Sequence, residues 1–131
     1  MPISMDFEKR LFPVLPQIIY HFGTPFHIYD EDGIVKNGER LNNLFSNTKG
    51  FREFFAVKAL PNIKIMQILF RKLGFGFDCS SIPELMLARE VGASPTDIIF
   101  TSNNTTIREY EAALAQGGCI LNLDDVSFVD K

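Results

Sequence analysis

The chain has 131 residues, 46% of them hydrophobic and 22% charged, the profile of one ordinary globular domain; it excludes a disordered, collagen-like or low-complexity chain. With Lys+Arg 13 against Asp+Glu 16, the formal net charge of -3 offers no basic field for nucleic acid and no cationic membrane surface. Two cysteines, Cys79 and Cys119, are too few for a disulfide framework or a structural zinc site and read as small buried apolar residues, so no metal is expected.

The N-terminus, Met-Pro-Ile-Ser-Met-Asp-Phe-Glu, carries acid where a secretory signal carries base, and no apolar run approaches the roughly 20 residues of a membrane span; a cytoplasmic protein is expected. Phe7 to Tyr20 has helical spacing but contains Pro13 and Pro16, so two short helices are expected. Thr24-Pro-Phe-His-Ile-Tyr29 reads as an isolated strand, and Asp30 as the cap of a helix whose apolar side is Ile34, Leu41, Leu44 and Phe45. Four apolar runs of strand length follow: Phe51–Leu60, Phe75–Ser80, Ile98–Ser102 and Cys119–Leu123. Between them, helical spacing recurs in Ile65, Ile68, Leu69 and Leu73, in Leu85, Ala88 and Val91, and in Ile107, Tyr110 and Leu114. Pro61-Asn62 opens the first of these helices, Ser81-Ile-Pro-Glu84 and Thr106-Ile-Arg-Glu109 have the form of capping boxes, and Gly74, Gly92 and Gly117 stand where left-handed C-terminal caps belong. Phe54, Phe75, Ile98 and Cys119 are spaced by 21, 23 and 21 residues; this regular βα period predicts a parallel sheet, either a (β/α) barrel or a doubly wound sheet.

Side chains of a strand alternate between faces, so the inward face can be read from chemistry. Phe75, Phe77 and Cys79 suit the helix layer, which leaves Gly76, Asp78 and Ser80 on the other side. The same parity sets Ile99, Thr101 and Asn103 against Ile98, Phe100 and Ser102, and Ile120, Asn122 and Asp124 against Cys119, Leu121 and Leu123. In the first unit Lys58 shares a face with Phe54, Ala56 and Leu60. Lys58, Asp78, Thr101 or Asn103, and Asn122 or Asp124 therefore gather late in their strands, at the rim where α/β active sites lie. A lysine set in Phe-Phe-Ala-Val-Lys-Ala-Leu has two readings: a strand-end side chain snorkelling to solvent, or a desolvated amine fit to form an imine with a carbonyl group. Asp78 is either a carboxylate satisfied by the Ser80–Ser81 region or a partner for a cation held nearby.

Phe55-Ala-Val-Lys-Ala-Leu-Pro-Asn62 resembles the lysine-bearing strand of the pyridoxal-phosphate barrel enzymes, the fold shared by alanine racemase and the decarboxylases of diaminopimelate, ornithine and arginine. Three further stretches match in the same order: Gly23-Thr-Pro-Phe-His-Ile-Tyr-Asp30, Gly74-Phe-Gly-Phe-Asp-Cys-Ser-Ser81 with Glu84-Leu85, and Ile98-Ile-Phe-Thr-Ser-Asn-Asn104. The resemblance implies an α/β fold, the first half of a TIM-type (β/α)8 barrel that binds pyridoxal 5'-phosphate, about four βα units preceded by an N-terminal helix and strand. The divisions expected are 1–30, the N-terminal helical segment and strand, and 31–131, the partial barrel ending after its fourth strand. Lys58 would form the internal aldimine with the cofactor, Asp78 would lie close to it, and Asn103 near the cofactor.

The resemblance also implies a lyase that decarboxylates an amino acid, with diaminopimelate in lysine biosynthesis first and an ornithine or arginine type of polyamine biosynthesis as the alternative, in a homodimer. A binding protein holding the cofactor or a partner without turnover is the alternative of another class. The stacking histidine, the phosphate loop, the acid on the pyridine nitrogen and the C-terminal β-domain of such enzymes find no counterpart: His21 and His27 precede the barrel, and Gly74 and Gly76 lack the context of a phosphate loop. Because a (β/α)8 barrel takes about 250 residues, 131 residues are expected to be a piece, inactive alone and prone to associate through the open first and fourth strands.

Overall fold

The structure, a computed structural model, describes residues 3–103 and 105–129. Asn104, at the end of the Ile98–Asn104 stretch, and the last two residues lie outside it. The proline-interrupted N-terminus forms two helices, α1 (Met5–Leu11) and α2 (Leu15–Phe22). The Ser4 hydroxyl accepts the Phe7 N–H at α1, and Pro16 sits in the first turn of α2, where no backbone donor is needed. The expected strand over Thr24–Tyr29 is not formed: a strand exists only by pairing, and among the described residues no strand pairs with this segment.

Helix α3 (Glu31–Leu44) starts at Asp30, whose carboxylate does not cap it but receives the Arg10 Nη2 at 2.9 and 2.8 Å, tying α1 to the start of α3. Desolvation works to raise the Asp30 carboxyl, but the hydrogen bond and charge of Arg10, the Gly33 backbone and the charge of Lys36 together outweigh it, leaving the group below the usual carboxylate range. Ile34, Val35 and Leu41 pack against α4 (Ile63–Leu73) through Ile65, Leu69 and Leu73. Gly38 permits that approach, because a Cβ there would run into the Leu73 side chain. Leu44, expected on this apolar side, is exposed, and Phe45 instead stacks on Phe51 at 4.3 Å.

The sheet comprises β1 (Phe54–Ala56), β2 (Gly76–Cys79), β3 (Ile98–Thr101) and β4 (Ile120–Asn122), all parallel and in the order β1-β2-β3-β4. Helices α5 (Ile82–Val91) and α6 (Ile107–Ala115) complete the repeat. Met66 of α4, Leu85 and Ala88 of α5 and Ala113 of α6 meet Phe77, Ile98 and Phe100 in one core cluster, so the three helices cover the same face of the sheet. Sequential order with one helical face is the winding of a barrel; a doubly wound sheet reverses its order and places helices on both faces. Each Phe or Leu buried there contributes about 1.5–3 kcal/mol.

Helix ends follow local chemistry. Asn62 accepts the Lys64 and Ile65 N–H groups at the start of α4, and Gly74 and Gly92 close α4 and α5 in the left-handed conformation. Thr106 and Glu109 form the expected capping box of α6. At α5 the box is incomplete: Ser81 donates its hydroxyl to Glu84 at 2.7 Å instead of accepting a backbone N–H, and Glu84 also takes the Ser80 N–H at 3.0 Å. Ile107 and Leu114, expected to face the core, are exposed, since α6 has a described helix on one side only and turns Ala113 inward. A short 3-10 turn, Val126–Phe128, follows β4.

The end of the strands opposite the rim is stitched by Arg52. Its Nε reaches the Gly74 carbonyl at 3.1 Å, its Nη1 lies 2.7 Å from Asp97 Oδ1 and 3.4 Å from the Thr96 carbonyl, and its guanidinium sits 5.4 Å from the Phe54 ring centroid. This one side chain joins the segments that lead into β1, β2 and β3.

Candidate functional site

The register of the sheet stacks its inward residues in tiers. Phe54 lies opposite Gly76; above them Ala56, Asp78, Ile99 and Ile120 form one row across all four strands; Thr101 and Asn122 are opposite each other in the next. Phe54, Asp78, Ile99, Thr101, Ile120, Leu121 and Asn122 line a concavity of about 470 Å³ on the face away from the helices. The inward parity read from the sequence therefore holds for β2, β3 and the start of β1, with Leu121 joining the lining of the outermost strand.

Lys58 does not sit in a strand. β1 ends at Ala56, and Val57–Ala59 form a 3-10 turn closed by the Leu60 N–H on the Val57 carbonyl at 3.1 Å. The cause is the neighbour: β2 ends opposite Val57, so from Lys58 on the backbone has no ladder partner and satisfies itself within a turn. Val57 is fully buried in the core, while Lys58 is exposed at the C-terminal edge of the sheet. Among the described residues no hydrogen bond or ion pair holds its amine, and the desolvation of the imine-forming reading is not supplied by these residues.

Asp78 stands in the middle of the row, half-buried, and its Oδ1 is shut off from solvent with no hydrogen-bond partner. The Ser80–Ser81 region does not satisfy it, because the Ser80 N–H and the Ser81 hydroxyl are both taken by Glu84. An unsatisfied buried acceptor costs about 1–3 kcal/mol, so the position suits a ligand that brings an N–H or a cation to it. A protonated nitrogen on a pyridoxal cofactor joined to a lysine amine is such a group, and on this observation the residues fit the cofactor.

Asn103 lies in the turn after β3, exposed and outside the lining of the concavity. Of the residue pairs left open by parity, the strands carry Thr101 and Asn122 into the concavity, linked by the Asn122 Nδ2 donating to Thr101 Oγ1 at 3.4 Å. Parity alone could not separate Thr101 from Asn103, two residues apart; where the strand stops does.

Other groups are accounted for structurally. Cys79 is buried under the helices, and burial foremost, with the negative charge of Glu84 and Asp78 adding, pushes its thiol up to about 12, far from a reactive thiolate. Cys119 is also raised, chiefly by burial. His21 and His27 are exposed in the N-terminal segment. Glu84 already places a carboxylate at the start of α5, and Gly74 caps α4, so neither feature is a phosphate loop. Among the described residues no group of three or more potential metal ligands occurs, and no helix is long and apolar enough to cross a membrane.

Comparison with known proteins agrees with this geometry. The family model described as pyridoxal-dependent decarboxylase, pyridoxal binding domain, matches residues 32–131. Over all 131 residues the chain is 47% identical to Protein TabA of Pseudomonas amygdali pv. tabaci, covering 30% of that protein. It is 37% identical over 108 residues to diaminopimelate decarboxylase of Campylobacter jejuni, covering 82% of this chain and 26% of the relative. The crystal structure of ornithine decarboxylase from Entamoeba histolytica superimposes with a TM-score of 0.78 at 26% identity, over 97% of this chain and 37% of that one. The chain thus spans less than a third of the length of the two relatives compared by sequence. With its parallel half-barrel, its inward carboxylate awaiting a donor and its match over 32–131, the chain belongs to the pyridoxal-dependent decarboxylase family, in the region of the pyridoxal binding domain.

Proposed function

We propose that this chain is the N-terminal part of a pyridoxal-phosphate-dependent amino-acid decarboxylase, in which Lys58 is the amine that bonds to the cofactor's aldehyde carbon. The observation that carries the reading is the unpartnered, solvent-shielded Asp78 Oδ1 on the row next below Lys58. The cofactor, when bound, supplies an electron sink for the carbanion left by departing carbon dioxide. Asp78, with its unpartnered Oδ1 acceptor, would help to hold the bound group and would favour a protonated donor beside it. Ala56 and Ile99, flanking Asp78 in the row, are apolar and help to keep water from that carboxylate, which strengthens the interaction. Asn103, in the turn after β3 at the same rim, belongs to the same reading as a residue near the cofactor. The division into a segment 1–30 and a barrel region 31–131 belongs to the same reading, as do a homodimeric parent, an amino-acid substrate and work in the cytoplasm.

Diaminopimelate is the first substrate to test, on the likeness to the Campylobacter enzyme, and ornithine or arginine the second, on the likeness to the Entamoeba structure. The decisive experiment reduces the cofactor-loaded, full-length protein with borohydride and maps the pyridoxyl adduct. An adduct on Lys58 is expected; an adduct on any other residue refutes the assignment. Carbon dioxide release from diaminopimelate, ornithine and arginine then separates the substrates, and release from none of a wider amino-acid panel would favour a binding protein.

A further inference from the structure

The tier above the Ala56–Asp78–Ile99–Ile120 row is polar in every strand unit. Two residues on from each member of the row come Lys58, Ser80, Thr101 and Asn122; the register pairs Thr101 with Asn122 in one tier, while Lys58 and Ser80 follow just beyond the ends of β1 and β2. Thr101 and Asn122 stand out there. Asparagine is disfavoured in strands, and this one lines a concavity shared with Asp78 and Thr101 and otherwise walled by Phe54, Ile99, Ile120 and Leu121. Its amide is bonded to the Thr101 hydroxyl. A bonded amide–hydroxyl pair still has at least one donor and one acceptor to spare, whichever way the amide is turned, whereas the Asp78 carboxylate can only accept.

We propose that Asn122, positioned by Thr101, is a hydrogen-bonding contact for the resident cofactor; the inference rests on the reading of Lys58 as the cofactor's covalent anchor. Along the sheet β1 and β4 are three strand spacings apart, about 14 Å, more than Lys58 and Asn122 span between them, which leaves room for a planar ring. The pair lies immediately above the row that floors the concavity. A group resting on that floor is the one that stays, and a substrate that comes and goes enters from the solvent side above it. A contact in the tier next to that floor therefore governs retention of the cofactor and leaves recognition of the substrate to other residues.

The test uses the full-length protein and reads the cofactor dissociation constant by equilibrium dialysis and absorbance, together with KM and kcat at saturating cofactor. Asn122→Leu and Asn122→Ala are expected to weaken cofactor retention about tenfold, the loss of one hydrogen bond. Thr101→Val should weaken it less, Thr101→Ser should restore it, and KM should stay at its parental value throughout. Thermal midpoints identify any variant that misfolds, and the Ala and Val variants are then decisive. Parental cofactor retention in folded Asn122→Ala and Thr101→Val overturns the proposal, as does a raised KM with unchanged retention, which would assign the pair to the substrate. If the unsubstituted protein carries no adduct on Lys58, it is the underlying reading that fails.

Discussion

Gly76 offers a direct test of the packing that aligns the site. It opens β2, two residues before Asp78, and its backbone is not left-handed, so any cost of a side chain here is one of space. A Cβ would lie 2.5 Å from two atoms of the Phe54 ring and 2.8 Å from the Asp97 carbonyl oxygen. Neither neighbour yields easily. The ring is held against the Arg52 guanidinium, and the Asp97 backbone is fixed by the Ser94–Asp97 capping box and by the ion pair to Arg52. Nor can the glycine withdraw, since its N–H is bonded to the Glu53 carbonyl at 2.8 Å. Overpacking of this kind costs about 1–3 kcal/mol, and replacing glycine in a strand returns about 0.5–1 kcal/mol of chain entropy. Gly76→Ala should therefore destabilise by about 1–2 kcal/mol and lower the thermal midpoint by about 3–10 °C, read by circular dichroism. Phe54→Leu introduced with it removes the ring contact but not the carbonyl contact, so the double variant should be more stable than the sum of the single effects by about 0.5 kcal/mol or more. A Gly76→Ala protein as stable as its parent, or additive effects, would refute this account of why β1 and β2 meet as they do.

Two further predictions concern the stitched end of the sheet. Arg52→Ala removes the bonds to Gly74 and Asp97 and the stacking on Phe54; discounted for its partial exposure, the loss should be about 1–2 kcal/mol in urea unfolding, and Arg52→Lys should recover only part of it because an ammonium lacks the guanidinium's fork. Partial burial works to raise the Asp97 carboxyl, but the Ser94 hydroxyl and N–H and the Arg52 guanidinium outweigh it and hold it below the usual range; Glu109 is held down by the Thr106 N–H and hydroxyl. A depressed folded value means stability that is complete above the unfolded value of about 4 and is lost as the pH falls below it. The thermal midpoint should drop between about pH 5 and pH 3, and by less in Asp97→Asn; an equal drop in that variant would count against the assignment.

Much of this was legible beforehand, because it rests on local chemistry. Apolar runs at a regular βα period, Asn62 and Thr106 before helices, and Gly74 and Gly92 after them announce parallel strands and bounded helices. Parity within a strand placed Phe77 and Cys79 under the helices and Asp78 on the other face. The resemblance at Phe55–Asn62 and Gly74–Ser81 added the family, and the match over 32–131 agrees with it.

What the sequence by itself determined is thus the order, type and facing of the repeating units. The tertiary structure decided where each unit stops, since a strand lasts only while a neighbour offers backbone partners. That is why Thr24–Tyr29 pairs with nothing, why β1 yields to a turn before Lys58, and why Thr101 and Asn122 line the concavity while Asn103 does not. It also decided which groups lack a partner. Asp78 Oδ1 has no partner, and the nearby Ser80 and Ser81 donors are taken by Glu84, which the sequence marks as part of a capping box but not as their competitor for Asp78.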